Sequence, residues 1–291
     1  MRRVSTDFLE STADVPTLLQ QARFALGELG TRPHKRLGQH FLIDPAVIDR
    51  MIAAAQIGAE DTILEIGSGL GALSDKLAGL AARLYLVEVD TALADRLRGR
   101  FADNDRVRII TSDFLSLNFS ATFPEPVIRV VASLPYNVAT PILFHLLEQR
   151  RKFSEATVML QKEVAERLTA APGSKAYGVP SVLTQLYAVV TPVCTVGPRS
   201  FFPAPKVESQ VVRLVFQDDP RVAVQDPSIF RRVVKAAFAQ RRKTLRNALR
   251  AAGYRELDTM SAQVGIDLQR RGETLSVEEF AALANALAEQ S

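Results

Sequence analysis

The sequence predicts an α/β domain with a mostly parallel sheet, followed by a small all-helical C-terminal domain. Three observations carry this. Short apolar runs alternate with helix-period segments from residue 62 to residue 170, the pattern of parallel strands joined by covering helices. The run 127–133 is almost entirely apolar, as a strand buried on both faces should be. After a polar break at 217–220, no further strand pattern occurs.

The 291 residues suit one large domain and one small one, and 47% hydrophobic with 23% charged residues is ordinary globular composition. The single cysteine, Cys194, excludes an internal disulfide and a cysteine-built zinc site, and is read as a small apolar residue; no metal is expected. The N-terminus has no apolar leader core, and no stretch approaches the ~18 apolar residues a membrane helix requires. A cytoplasmic monomer is expected. Net charge is only +4, but residues 231–250 carry eight Lys or Arg and no Asp or Glu, a basic helical segment suited to phosphate or to solvent.

Residues 1–30 read as an N-terminal extension with one weak helix at 15–29. Residues 32–43 form a basic lead-in, and Asp44-Pro45 caps and opens a helix. Strand 62–66 leads through a glycine loop into a helix at about 70–80. Strand 83–89, helix 92–101, strand 107–111, strand 127–133 and helix 140–149 follow. Strand 156–161 runs into helix 162–170. Strands are expected at 187–196 and 208–216. Beyond the break, Asp226-Pro227 starts one helix and the capping box at Ser276 to Glu279 starts the last. The domains are thus the extension 1–30, an α/β domain 31–217 and a helical domain 218–291.

The loop Gly67-Ser68-Gly69-Leu70-Gly71 follows a strand and opens a helix, so backbone can approach a ligand closely. A dinucleotide site prefers G-x-G-x-x-G for its pyrophosphate. Here the third glycine comes one residue early, which suits S-adenosylmethionine, a ligand with no pyrophosphate. Glu88 ends the next strand, 21 residues past Gly67, at the distance of a carboxylate that accepts from ribose hydroxyls. Asp113, ending the third strand, can accept from an adenine amino group. The fourth strand runs into Ser133-Leu134-Pro135-Tyr136-Asn137. An adenine amino group is a poor nucleophile because its lone pair is delocalised. The Ser133 hydroxyl and the Leu134 carbonyl can accept its hydrogens, Pro135 stiffens the turn, and the Tyr136 ring can stack on a flipped-out base.

The motifs KRLGQHFLID (35–44), EIGSGLGALS (65–74), SLPYN (133–137), SFFPAPKVESQVVRL (200–214) and FAQRRKTLRNAL (238–249) together resemble the ribosomal RNA adenine dimethyltransferases, most closely their bacterial small-subunit branch, over about residues 30–291. The resemblance implies a Rossmann-like class I methyltransferase domain with a helical C-terminal domain. It implies transfer of four methyl groups to two adjacent adenosines in the 3′-terminal hairpin of 16S rRNA, within the 30S subunit or its precursor. It places His40 and Leu42 at the methionine end of the cofactor, Gly67, Gly69, Glu88 and Asp113 along the rest of it, Ser133 at the methyl group, and Phe201 near the target base; Phe202 is read as core. It also makes Arg241, Arg242, Lys243 and Arg246 phosphate contacts. One position departs: the family usually has Asn where this chain has Ser133, so a reduced rate is expected. Two other readings compete, a large-subunit rRNA adenine methyltransferase and a non-catalytic ribosome assembly factor. Leu134 in the turn and the long basic segment favour the small-subunit enzyme.

Overall fold

The computed structural model describes residues 16–289; residues 1–15 of the expected extension, including the first residue of the helix expected at 15–29, lie outside them. In chain order the elements are α1 (Leu18–Glu28), β1 (Phe41–Leu42), α2 (Pro45–Ala55), β2 (Thr62–Ile66), α3 (Ala72–Leu80), β3 (Arg83–Glu88), α4 (Thr91–Arg100), β4 (Val107–Thr111), α5 (Phe119–Thr122) and β5 (Ile128–Ser133). Then come α6 (Ala139–Glu148), β6 (Phe153–Gln161), α7 (Lys162–Thr169), α8 (Val179–Tyr187), β7 (Ala188–Val196), β8 (Phe201–Phe202) and β9 (Ser209–Phe216). Four helices close the chain, α9 (Pro227–Ala239), α10 (Leu245–Ala251), α11 (Leu257–Val264) and α12 (Val277–Ala288).

Seven strands form one sheet in the order β4-β3-β2-β5-β6-β9-β7. The first five are parallel, and β9 and β7 run antiparallel. Parallel central strands are covered on both faces, which is why Ile63, Leu64, Val130, Val131 and Ala132 are all buried. The chain moves from β2 outward to β4, then returns to the other side of β2 with β5. This reversal opens a crevice at the carboxyl ends of β2 and β5. Pro192 lies in the edge strand β7 beside a register shift, where a missing N–H is tolerated. Cys194 is half-buried and packs on the core.

Local chemistry explains most boundaries. Asp44 caps α2 through the Ala46 N–H, with Pro45 in the first turn. Ser276 and Glu279 satisfy each other's backbone N–H groups at the start of α12. The helix expected from residue 70 begins at Ala72, because Gly71 holds a left-handed φ of 86° as its N-cap.

Two expectations are corrected. Tyr187 is the last residue of α8, a helix the strand pattern did not reveal. Its Val182, Leu183 and Leu186, with Tyr177, join the apolar core of α9 to α12, and the Tyr177 hydroxyl donates to the Leu275 carbonyl at 2.9 Å. The basic segment 231–250 is not one helix. It breaks at Gln240, and Thr244 re-caps the chain by accepting from the Asn247 N–H.

Candidate active site

The crevice at the carboxyl ends of the parallel strands is a cleft of about 900 Å³ including its open mouth. Its walls include His40, Gly67, Gly69, Glu88, Asp113, Ser133, Leu134, Pro135 and Tyr136. Nine residues singled out in the sequence thus meet in one place.

The glycine loop is held by close approach. Gly67 has φ 74°, and a Cβ there would lie 3.2 Å from the Pro135 ring, so this loop packs directly on the turn after β5. Gly69 has φ 56°, and a Cβ would lie 3.1 Å from the Phe41 ring. Both positions combine a left-handed backbone with crowding that a side chain would have to push aside. The Gly69 N–H donates to Glu88 Oε2 at 2.8 Å, and the Asp90 N–H donates to Oε1 at 3.0 Å. Burial raises the Glu88 pKa, and those backbone N–H groups oppose the rise. Behind the loop, Glu65 is fully enclosed and accepts from the Ser74 hydroxyl at 2.5 Å. Burial is the main cause that pushes its pKa up to about 8; the Ser74 hydroxyl opposes this, while the Glu88 and Asp75 carboxylates add to it. Asp113 lies at the rim, with Oδ1 accepting from the Leu115 N–H at 3.0 Å.

The turn after β5 is anchored to the next strand, since the Leu134 N–H donates to the Met159 carbonyl at 3.0 Å. Tyr136 is enclosed on several sides. The His40 ring stacks on it with centroids 5.4 Å apart, Phe201 meets it edge-on at 6.4 Å, and its hydroxyl hydrogen-bonds the Ser209 hydroxyl. His40 Nδ1 lies 2.7 Å from the Pro203 carbonyl. A carbonyl can only accept, so neutral His40 carries its proton on Nδ1 and keeps Nε2 as an acceptor.

Two residues expected in the site stand behind it. Phe201 is 3% exposed and outside the cleft; it pairs across β1 and β8 with Leu42 and reaches the site through Tyr136. Leu42 belongs to the same apolar core and lines a smaller recess of about 390 Å³ that shares His40, Gly67, Gly69 and Ser133 with the cleft. Phe202, half-buried, packs beside Phe41 and Leu26, with the Arg23 guanidinium over its ring. The residue of β1 that faces the cleft is Phe41. Sequence reasoning passed over Phe41, Glu65 and Ser209. Glu65 had a signal, a lone carboxylate in an apolar strand; Ser209 had none.

The four basic residues are not equivalent. Arg241 pairs with Glu273 at 3.3 Å and donates to the Lys175 carbonyl, and Arg246 pairs with Asp258 at 2.5 Å. Arg242 and Lys243 are exposed, with no ion pair among the described residues. No group of His, Cys, Asp and Glu suited to a metal ion occurs among the described residues. No helix among them is long and apolar enough to cross a membrane.

A sheet whose parallel strands bring, at their switch point, a glycine loop, a buried carboxylate and a Pro-Tyr turn into one cleft defines a class I methyltransferase. The family model for ribosomal RNA adenine dimethylases matches residues 30–289, and the chain belongs to that family. It is 50% identical over 268 residues to ribosomal RNA small subunit methyltransferase A of Geobacter sulfurreducens, covering 89% of this chain and 96% of that protein. The Syntrophotalea carbinolica protein of the same name is 47% identical over 258 residues, covering 88% and 97%. Among solved structures, a dimethyladenosine transferase from Plasmodium falciparum superposes with a TM-score of 0.69 at 25% identity, over 84% of this chain and 96% of that one. The 23S rRNA methyltransferase ErmE shares the fold, with a TM-score of 0.66 at 24% identity over 85% and 99%. The family's methyl donor is S-adenosylmethionine. The cleft fits it: a bare-backbone loop at Gly67 and Gly69, in left-handed conformations that disfavour a side chain, lies beside a buried carboxylate already oriented by two backbone N–H groups.

Proposed function

We propose that this chain dimethylates two adjacent adenosines in the 3′-terminal hairpin of 16S rRNA, acting as a cytoplasmic monomer on the 30S subunit or its precursor. In this reading residues 31–217 are the catalytic domain and 218–291 the RNA-binding domain. The carrying observation is that Ser133, Leu134, Pro135 and Tyr136 line the same cleft as Gly67, Glu88 and Asp113. The small-subunit name shared by relatives at 47% and 50% identity supports the choice of RNA.

Bound S-adenosylmethionine supplies an electrophilic methyl group. The residues of the chain do the rest. Gly67 and Gly69 admit the cofactor, Glu88 accepts from its ribose, Asp113 from its adenine, and His40 sits at its methionine end. Ser133 Oγ and the Leu134 carbonyl accept the two amino hydrogens of the target adenine, which localises the nitrogen lone pair. Tyr136 stacks on the flipped base. No base is required to remove a proton before attack, so the gain comes from orientation and preorganised acceptors. Arg242 and Lys243 hold phosphates, with Arg241 and Arg246 contributing through their paired heads.

The test is reaction of unmethylated 30S subunits and protein-free 23S RNA, side by side, with labelled S-adenosylmethionine, followed by mass mapping. Dimethylation of two adjacent 16S adenosines is expected. Labelling confined to 23S RNA, or tight 30S binding without transfer, overturns the proposal.

A further inference from the structure

We propose that Ser209 is a positioning residue that sets the angle of the Tyr136 ring for the target base. The inference rests on the reading that Tyr136 stacks on that base. Ser209 opens β9 and is fully buried, while Tyr136 is a half-buried wall of the cleft. Their hydroxyls share a hydrogen bond, although 73 residues separate them.

Three contacts restrain the Tyr136 ring, and they differ in kind. His40 lies against one face, and Phe201 meets the ring edge-on. Both are soft contacts that tolerate sliding and tilting. The hydroxyl bond is directional and fixes the tip of the ring. Its anchor is rigid, because the Ser209 backbone sits between two strands, opposite Gln161 of β6 and Val196 of β7. The Leu134 N–H is tied to Met159 of β6. Both ends of the catalytic turn are therefore pinned to neighbouring strands of one sheet: its amino-acceptor end to β6 and its stacking end, through Ser209, to β9.

A purely structural role is a poor account of this pair. A bond kept only for stability needs no place on a cleft wall, yet Tyr136 lines the cleft; without the serine its hydroxyl, which meets a fully buried side chain, would be left unmet and the tip of the ring free. The serine instead gives the ring one preferred tip position. The benefit appears when a base must lie parallel to the ring, at the moment the amino group meets its acceptors.

The experiment compares Ser209→Ala, Tyr136→Phe, their double variant and Tyr136→Ala in single-turnover methylation of unmethylated 30S subunits. Calorimetry with S-adenosylmethionine and thermal unfolding of each variant accompany it. Both Ser209→Ala and Tyr136→Phe should slow the saturating rate constant about fivefold to tenfold, the worth of one hydrogen bond. Cofactor affinity and the 30S concentration for half-saturation should stay within about twofold, a split between rate and binding expected when orientation alone is lost. The double variant should be no slower than the slower single variant, since both remove the same bond. Tyr136→Phe keeps the ring and breaks the bond from the cleft side, so the comparison survives if Ser209→Ala folds poorly. Slow Tyr136→Ala with Tyr136→Phe at the native rate overturns the role of Ser209 while leaving stacking intact. Tyr136→Ala at the native rate overturns stacking itself. Multiplicative losses in the double variant also overturn the inference.

Discussion

Replacing Glu88 by glutamine isolates what its carboxylate gives to cofactor binding. Each oxygen is already used once in the structure, Oε2 by the Gly69 N–H at 2.8 Å and Oε1 by the Asp90 N–H at 3.0 Å. A carboxylate offers about four acceptor sites, so each oxygen keeps one for a ribose hydroxyl. Glutamine keeps the shape but turns one oxygen into an NH2 group. That group faces a backbone N–H, donor against donor, and has no acceptor for a ribose hydroxyl. One hydrogen bond to a charged group is worth about 1.5–3 kcal/mol. At about 1.4 kcal/mol per tenfold, Glu88→Gln should weaken S-adenosylmethionine binding about 10-fold to 100-fold. Glu88 is only 5% exposed, so solvent screening removes little of this. Because burial raises its pKa, the neutral side chain also relieves a desolvation cost, and the ligand-free protein should unfold at nearly the native temperature. Titration calorimetry at neutral pH, paired with thermal unfolding, measures both. A dissociation constant within threefold of native, in a variant that unfolds normally, refutes the reasoning.

Three other outcomes follow from the geometry. Ser133→Asn extends a carbonyl acceptor toward the amino group and should speed single-turnover methylation about twofold to tenfold, the range of one added hydrogen bond; an unchanged or slower rate removes Ser133 as a handicap. Neutralising Arg242 and Lys243 together should lower the slope of log affinity for 30S rRNA against log salt by about 1.4–1.8, while neutralising Arg241 and Arg246, already paired with Glu273 and Asp258, should lower it less; a native slope in the quadruple variant excludes all four. Glu65 has a folded pKa of about 8 against 4.5 when unfolded, so the folded state holds the extra proton in between. Its contribution to stability is fully present below pH 4.5 and is lost as pH rises toward 8. Thermal unfolding across that window should therefore show a smaller fall in midpoint for Glu65→Gln than for the native protein, and parallel profiles would count against a buried neutral Glu65.

Strand 62–66 lies where the sequence placed it, because a central parallel strand is short and apolar on both faces, and strand 107–111, at the sheet edge, was marked by its β-branched Val107, Ile109, Ile110 and Thr111. The caps at Asp44, Asp226 and Ser276 were equally legible, since each depends on a side chain and a backbone N–H two or three residues away. The glycine loop and Glu88 were legible for a related reason: both sit in βα turns whose direction the alternation already dictates. Helix α8 was hidden because Val179 to Tyr187 is rich in β-branched and apolar residues, and its helical state is fixed by packing on the C-terminal core. The break at Gln240 was hidden by a continuous run of good helix formers; the segment turns there while the Leu245 and Arg246 N–H groups bond the Arg270 and Leu268 carbonyls, far along the chain. Leu42 and Phe201 read as site residues on motif position, and the pairing of β1 with β8 turns them into the wall behind it.

The two ends of the cleft are built by different kinds of contact, and this determines what each can tolerate. The cofactor end consists of three successive strand-to-helix turns within residues 66–113, so its geometry follows from the parallel sheet itself. The target end draws on three remote segments. His40, which in the proposed reading also borders the methionine end of the cofactor, comes from the lead-in before α2, Tyr136 from the turn after β5, Pro203 from the segment between β8 and β9, and Ser209 from the start of β9. Two antiparallel pairings hold that assembly together, β1 with β8 and β6 with β9. A change in residues 200–209 therefore acts on the Tyr136 wall, and through the pairing of Phe202 with Phe41 it also reaches the ring that packs on Gly69. The antiparallel strands appended to a parallel sheet are thus more than closure of its edge. They carry the hydroxyl that holds Tyr136, and so tie one wall of the cleft to a strand 73 residues further along the chain.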